Sequence, residues 1–204
     1  HAEGYVTQAN GLYSHAEGYG THADGEASHA EGDNTTATGN HSHAEGEQTK
    51  AIGDHSHAEG VNTEANGPVS HAEGNGSHAD GEASHAEGDN TTATGSHAEG
   101  LYTVATGDYQ HVQGQYNLSV TNQSAFVIGN GVDEANRSNL LFAHENVVEI
   151  TGSLLVSGST STDAFTLTTA PQDGYILTSD AGGVGTWKAP YVRSVNGSYP
   201  IGNA

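Results

Sequence analysis

The chain has 204 residues, with 29 Gly, no Cys, no Met and only 33% hydrophobic residues, a composition that excludes an ordinary globular core. A formal net charge of −21, with only 4 Lys and Arg, leaves no basic surface to neutralise phosphates or anionic headgroups, so neither nucleic-acid binding nor membrane insertion is expected. Low hydrophobicity with high charge would ordinarily mark a disordered chain, but strict periodicity overrides that reading.

Glycine recurs at position 4 and at every seventh residue to 95, then at 100, 107 and 114. Ala stands two residues before each, from Ala2 to Ala105, with Val112 the exception, and Ser or Thr stands three residues after almost every one. The unit is Ser/Thr-x-Ala-x-Gly-x-x. A heptad coiled coil needs apolar a and d positions and helix-forming residues, whereas this unit has Gly in every heptad and Ala as its only regular apolar residue. Read as a strand, Ser/Thr, Ala and Gly share one face, the intervening positions share the other, and Gly-x-x turns the corner.

Two units make a 14-residue coil: SHAEG recurs at 14–18, 28–32, 42–46, 56–60, 70–74 and 84–88, with more variable units between. The predicted fold class is therefore all-β, a parallel β-roll over residues 1–118 with two short strands per coil, followed by small β modules. About eight coils stacked about 4.8 Å apart give a shaft roughly 40 Å long. A roll so thin and polar is expected to associate along its length into a closed homo-oligomer. Residues 22–39 recur unchanged at 78–95, four coils on, so the copy adds length without breaking register. Ser96 directly after Gly95 is the single break in phase; it removes two turn residues and predicts a kink or the start of the exit from the roll.

Residues 119–158 gather apolar runs at 125–128, 140–142, 147–150 and 154–156, read as strands of a capping region that covers the open end of the roll. Residues 159–170, after the Ser/Gly/Thr-rich stretch that opens at Ser157, read as a linker, and 171–204 as a small C-terminal β module with Trp187 as its core residue rather than a receptor contact. The chain opens at His1 within a repeat and reads as a fragment or processed form.

The chemically loudest feature is a column of His15, His29, His43, His57, His71 and His85 with Glu17, Glu31, Glu45, Glu59, Glu73 and Glu87 two places on. Each His-x-Glu pair shares a strand face, and the reading is a structural His–Glu ladder in which imidazoles relieve the repulsion of stacked carboxylates. A competing reading is a divalent metal site at His41-Ser-His43 and His55-Ser-His57, where an HxH pair puts two imidazoles on one face. No catalytic residue is expected, because one triplet copied along a lattice is not a single preorganised pocket. A glycan-cleaving spike using paired carboxylates is the enzymatic alternative, and the scarcity of aromatic residues weighs against it. The Asn-x-Ser/Thr triplets at Asn34, Asn40, Asn90, Asn117, Asn122 and Asn196 follow from composition, and the Asp33-Asn34 and Asp89-Asn90 loops read as solvated turns.

The paired Ser-x-Ala-x-Gly heptads resemble the head of trimeric autotransporter adhesins, which implies a left-handed parallel β-roll in a homotrimer. Where those heads carry Val and Ile beside the Ala, this chain has His and Glu. SHAEG, followed by residues 109–117 and 125–131, is similar to repeats of phage neck-appendage and tail-fibre proteins, and the segment 174–188 resembles a tail-fibre motif. The resemblance covers roughly residues 1–158 and implies a structural fibre on a virion or in the extracellular space. It implies self-association, attachment to tail or baseplate proteins, and contact with a host receptor, a glycan or a surface protein, through residues the sequence does not identify. It also implies that HxH pairs from three chains meeting on the axis would hold one octahedral ion. A bacterial trimeric surface adhesin or extracellular filament subunit is the alternative.

Overall fold

A computed structural model describes residues 1–157, together with the backbone strands Ile176–Ser179 and Gly185–Lys188. Two compact units are present, His1–Leu154 and Leu155–Ala204. The described residues contain strands and turns and no helix. The first unit is a β-solenoid of about nine turns, which is the β-roll expected from the repeat.

Two sheets run the length of the roll. One has twelve strands, the first ten parallel, of which eight are built from the (His-)Ala-Glu-Gly-x segments and two are His111–Gln115 and Phe126–Asn130; the other has eight parallel two-residue strands. The register is that of the repeat: His15 lies beside His29, Ala16 beside Ala30, Glu17 beside Glu31 and Gly18 beside Gly32. On the short sheet His22 lies beside Thr36 and Ala23 beside Ala37. Each coil therefore places like on like, fourteen residues apart.

The interior is one residue thick. Every Ala from Ala16 to Ala105 in the repeat column is fully buried, as are Val112 and Val127 where the column ends. Between them lie the buried hydroxyls of Ser14, Thr21, Ser28, Thr35 and their successors. Ser28 donates to the Gly25 carbonyl at 2.8 Å and Ser42 to that of Gly39 at 2.6 Å, closing the corner locally. With so little apolar volume, backbone ladders and close packing of small groups carry the fold.

The glycines serve close approach more than turning. A Cβ on Gly18 would overlap the Gly32 carbonyl oxygen, and one on Gly25 would overlap that of Gly39. Gly18 also has φ +111, whereas Gly25 keeps an ordinary negative φ. Within the Gly-x-x corner the left-handed residue is the second after Gly, and it is usually not glycine. Ala27 (φ 53), Asn34 (φ 55), His41 (φ 56) and Val69 (φ 59) occupy it. The conformation costs about 1–2 kcal/mol per non-glycine residue. It persists because each such amide donates to the coil below: Ala27 to Leu12 O at 2.7 Å, His41 to Glu26 O at 2.7 Å and Val69 to Asp54 O at 2.8 Å.

The phase break at Ser96 is not the start of an exit from the roll. The roll continues, with His97 beside His85, and the shortened corner is bridged when the Tyr109 amide donates to Gly95 O at 2.9 Å. The two missing residues leave a notch of about 460 Å³ between the corners of Gly81–Ala83 and Asp108–Tyr109.

Asn117 ends the short sheet. Fully buried where the units up to Thr103 have Ser or Thr, it accepts from Val104 N at 2.8 Å and donates to Val104 O at 2.9 Å, taking the part of a next strand. The long sheet continues through Phe126–Asn130, parallel, and then the antiparallel strands Asn139–His144 and Val147–Ile150. Residues 154–156, expected as a strand, form none: they lie beyond the last ladder, with Leu155 91% exposed. In the second unit the Ile176–Ser179 and Gly185–Lys188 strands pair antiparallel, with Leu177 opposite Trp187. The linker at 159–170, the rest of the 171–204 module and the side chain of Trp187 lie outside the described residues.

Candidate functional site

The long sheet turns its His and Glu side chains outward, because alternation along the strand sends Ala inward. Parallel in-register pairing then fixes the column: imidazole centroids of His15, His29, His43, His57, His71, His85 and His97 follow one another at 4.8–4.9 Å, nearly coplanar in stacking. At its end His97 meets His111 edge-on, and His111 meets Phe126 at 5.2 Å. The glutamates form a parallel row beside the rings. Beyond that row the flat stripe of glycines leaves a groove of about 650 Å³ from Glu3 to Gly60.

All the residues of the expected ladder are brought together. The contacts are longer than hydrogen bonds: His57 Nε2 lies 3.7 Å from Glu45 Oε1, His71 Nε2 3.7 Å from Glu59 Oε1, and His85 Nε2 3.9 and 3.7 Å from Glu73 and Glu87. The Nε2 atoms of His15, His29, His43, His57, His71, His85 and His97 are shielded from solvent and have no hydrogen-bond partner. A ladder of imidazole–carboxylate hydrogen bonds is thus not what the chain forms on its own.

The column titrates as coupled neighbours. Glu45 is pushed up to about 7, first by its hydrogen bond with Glu59 and then by that with Glu31. Glu73 is pushed to about 7 in the same way by Glu59 and Glu87. Glu31, Glu59 and Glu87 are lowered, chiefly by accepting from those protonated neighbours. Alternate carboxyls holding a proton is how a stack of like acids avoids full repulsion. Burial, followed by neighbouring imidazoles, lowers His43, His71 and His97.

The HxH pairs are not arranged as expected. His43 and His57 stand on the long sheet, but His41 and His55 precede the strands, in left-handed corner conformations, exposed and stacked on each other at 5.1 Å. The strand alternation that would place both imidazoles on one face does not extend through the corner. Among the described residues, the groups whose ligating atoms lie within 4.8 Å of one another combine column His with Glu, not His41 with His43 or His55 with His57.

A second, variable row lies on the short sheet and was not foreseen. Lys50 Nζ pairs with Glu64 at 2.7 Å, and His78 Nε2 lies 3.9 Å from Glu64. Lys50 lowers the Glu64 carboxyl below its usual range. Register alone could have found it, since residues 50, 64 and 78 are fourteen apart.

Fold and surface together define a β-solenoid repeat protein whose regularity suits a structural role. Within that class, the YadA head domain repeat matches the chain at residues 16–42, 30–56 and 72–98, which supports a relation to the head of trimeric autotransporter adhesins. No curated protein and no solved structure matches the chain.

Proposed function

We propose that this chain is part of the head of an extracellular homotrimeric adhesin, a non-enzymatic spacer and attachment surface displayed outside the cell. The observation that carries this reading is the constancy of one outward face: His-Ala-Glu-Gly repeats on the long sheet while the outward positions of the short sheet change from His to Thr, Lys and Glu. A face that meets the same face of a neighbouring copy at every coil is held to one residue type, while a solvated face is not. The match to an adhesin head repeat favours the cell-surface reading over the tail fibre, which rests on the resemblance of SHAEG and of residues 109–117, 125–131 and 174–188. The partners are two further copies and a surface glycan or protein.

Light scattering on the purified chain tests the assembly. A mass of about 63 kDa, three times the 20.9 kDa chain, is expected, and a folded monomer would overturn the trimer. Labelled trimer applied to glycan and surface-protein arrays tests attachment. Saturable binding is expected, and failure to bind any of them would reduce the chain to a spacer.

A further inference from the structure

The unpartnered imidazole nitrogens of the long sheet need an explanation that the ladder does not supply. Shielded polar atoms without a partner are uncommon in native proteins, and an ion is one of the usual reasons. At His29, His43, His57 and His71 a ring nitrogen and carboxylate oxygens of the same coil and of the coil below lie within 4.8 Å of one another. The gap of 3.7 Å from His57 to Glu45 is too long for a hydrogen bond and too closed for solvent to reach the nitrogen. It is close to the separation of two ligands on a small cation: metal–nitrogen and metal–oxygen bonds of about 2.0–2.1 Å at a tetrahedral angle place their ends about 3.4 Å apart. That pair needs to close by only a few tenths of an ångström, while Glu59, which completes the group within 4.8 Å, must swing further in.

We propose that this column is a linear array of divalent transition-metal sites, each formed by imidazole and carboxylate ligands, as in Glu45–His57–Glu59. Five such groups recur along the sheet. Four combine one His with two Glu, and the last is His85, Glu87 and His97. Imidazole with carboxylate selects Zn²⁺ or Ni²⁺ over Ca²⁺ and Mg²⁺, which prefer oxygen alone. Three protein ligands leave a position for water or for a group from another copy, so the array does not depend on the trimer.

Occupancy follows from the sharing of ligands. Glu31, Glu45 and Glu59 each belong to two successive groups, and dications one coil apart repel. Filling every second group, at His29, His57 and His85, gives no glutamate more than one ion and each chain three.

The test is calorimetric titration of the untagged, chelator-treated protein with ZnCl₂, with metal counted by mass spectrometry after dialysis and MgCl₂ as the comparison. Three zinc ions per chain are expected, with no equivalent uptake of magnesium. The double substitution Glu31→Gln and Glu59→Gln removes a carboxylate from four groups and should lower the count from three to one. If that variant loses its β circular dichroism, His57→Gln decides instead, lowering the count to two. His41→Gln with His55→Gln should leave three. Absence of saturable zinc binding, equal uptake of magnesium, or loss of zinc on substitution of the corner His41 and His55 alone would overturn the proposal.

Discussion

The two sheets of the roll share an interior and differ in everything they show outside. The long sheet repeats one sequence, has φ of about +100 to +127 at its glycines and stacks titratable side chains in contact. The short sheet keeps negative φ at its glycines except Gly95, varies its outward residues and pairs them by charge where chance of sequence allows. Inward uniformity is thus required of both by thickness, while outward uniformity belongs to one.

Glycine substitution should separate the sheets most sharply. Gly60→Ala on the long sheet places a Cβ onto the Gly74 carbonyl at φ +104 and should cost backbone strain of about 1–3 kcal/mol together with overpacking of about 1–3 kcal/mol. Gly53→Ala on the short sheet meets the Gly67 carbonyl without the unusual φ and should show the overpacking part alone. Equal losses in denaturant unfolding would remove the distinction. Within the shared interior, Ala44→Val and Ala51→Val, both fully buried, should each cost about 1–3 kcal/mol and do so alike. Unequal midpoints would reveal an interior less symmetric than the register implies.

A smaller effect lies at the corners between the sheets. Val69→Gly relieves a β-branched residue at φ 59. Against about 1–2 kcal/mol of left-handed strain stands glycine's entropy of about 0.5–1 kcal/mol. Thermal unfolding should therefore rise modestly, and a fall would show that the Val69 side chain packs in the assembled protein.

The most selective test is pH. Glu45 and Glu73 titrate in the folded chain at about 7, above the ordinary carboxyl, so the folded state binds more protons between about 4.5 and 7. Their contribution is fully present below that window and is lost as pH rises through it. The lowered His43, His71 and His97 act in the opposite direction, opposing protonation as pH falls below 6.5. Glu45→Gln with Glu73→Gln should leave stability near pH 4.5 almost unchanged and raise it, relative to the parent, toward pH 7.5. An unchanged difference across that range would show that the carboxylates do not share protons.

Much of this was legible before any coordinates. Fourteen-residue spacing identified the coil, and alternation placed Ala inward and His with Glu outward, because in-register parallel pairing copies sequence periodicity into space. The corners were not legible, since Gly marks close approach as strongly as it marks a turn, and Val69 or His41 carries no sign of a left-handed backbone. Nor was the fate of His41 and His55 legible, because HxH shares a face only where both residues lie in one strand. Asn117 could have been noticed with Gln110 as a residue that breaks the Ser/Thr column, although its role as a substitute strand needed the geometry at Val104.

What the sequence determined by itself was the period, the thin small-residue interior and the column of like residues, all consequences of repetition in a two-faced strand. What the tertiary structure decided was distance. Stacking at 4.8 Å makes Gly obligatory opposite Gly, brings Glu45 close enough to Glu59 to share a proton, and leaves His57 Nε2 within reach of carboxylates but bonded to none. Periodicity specifies which residues meet, and only the backbone path fixes how closely.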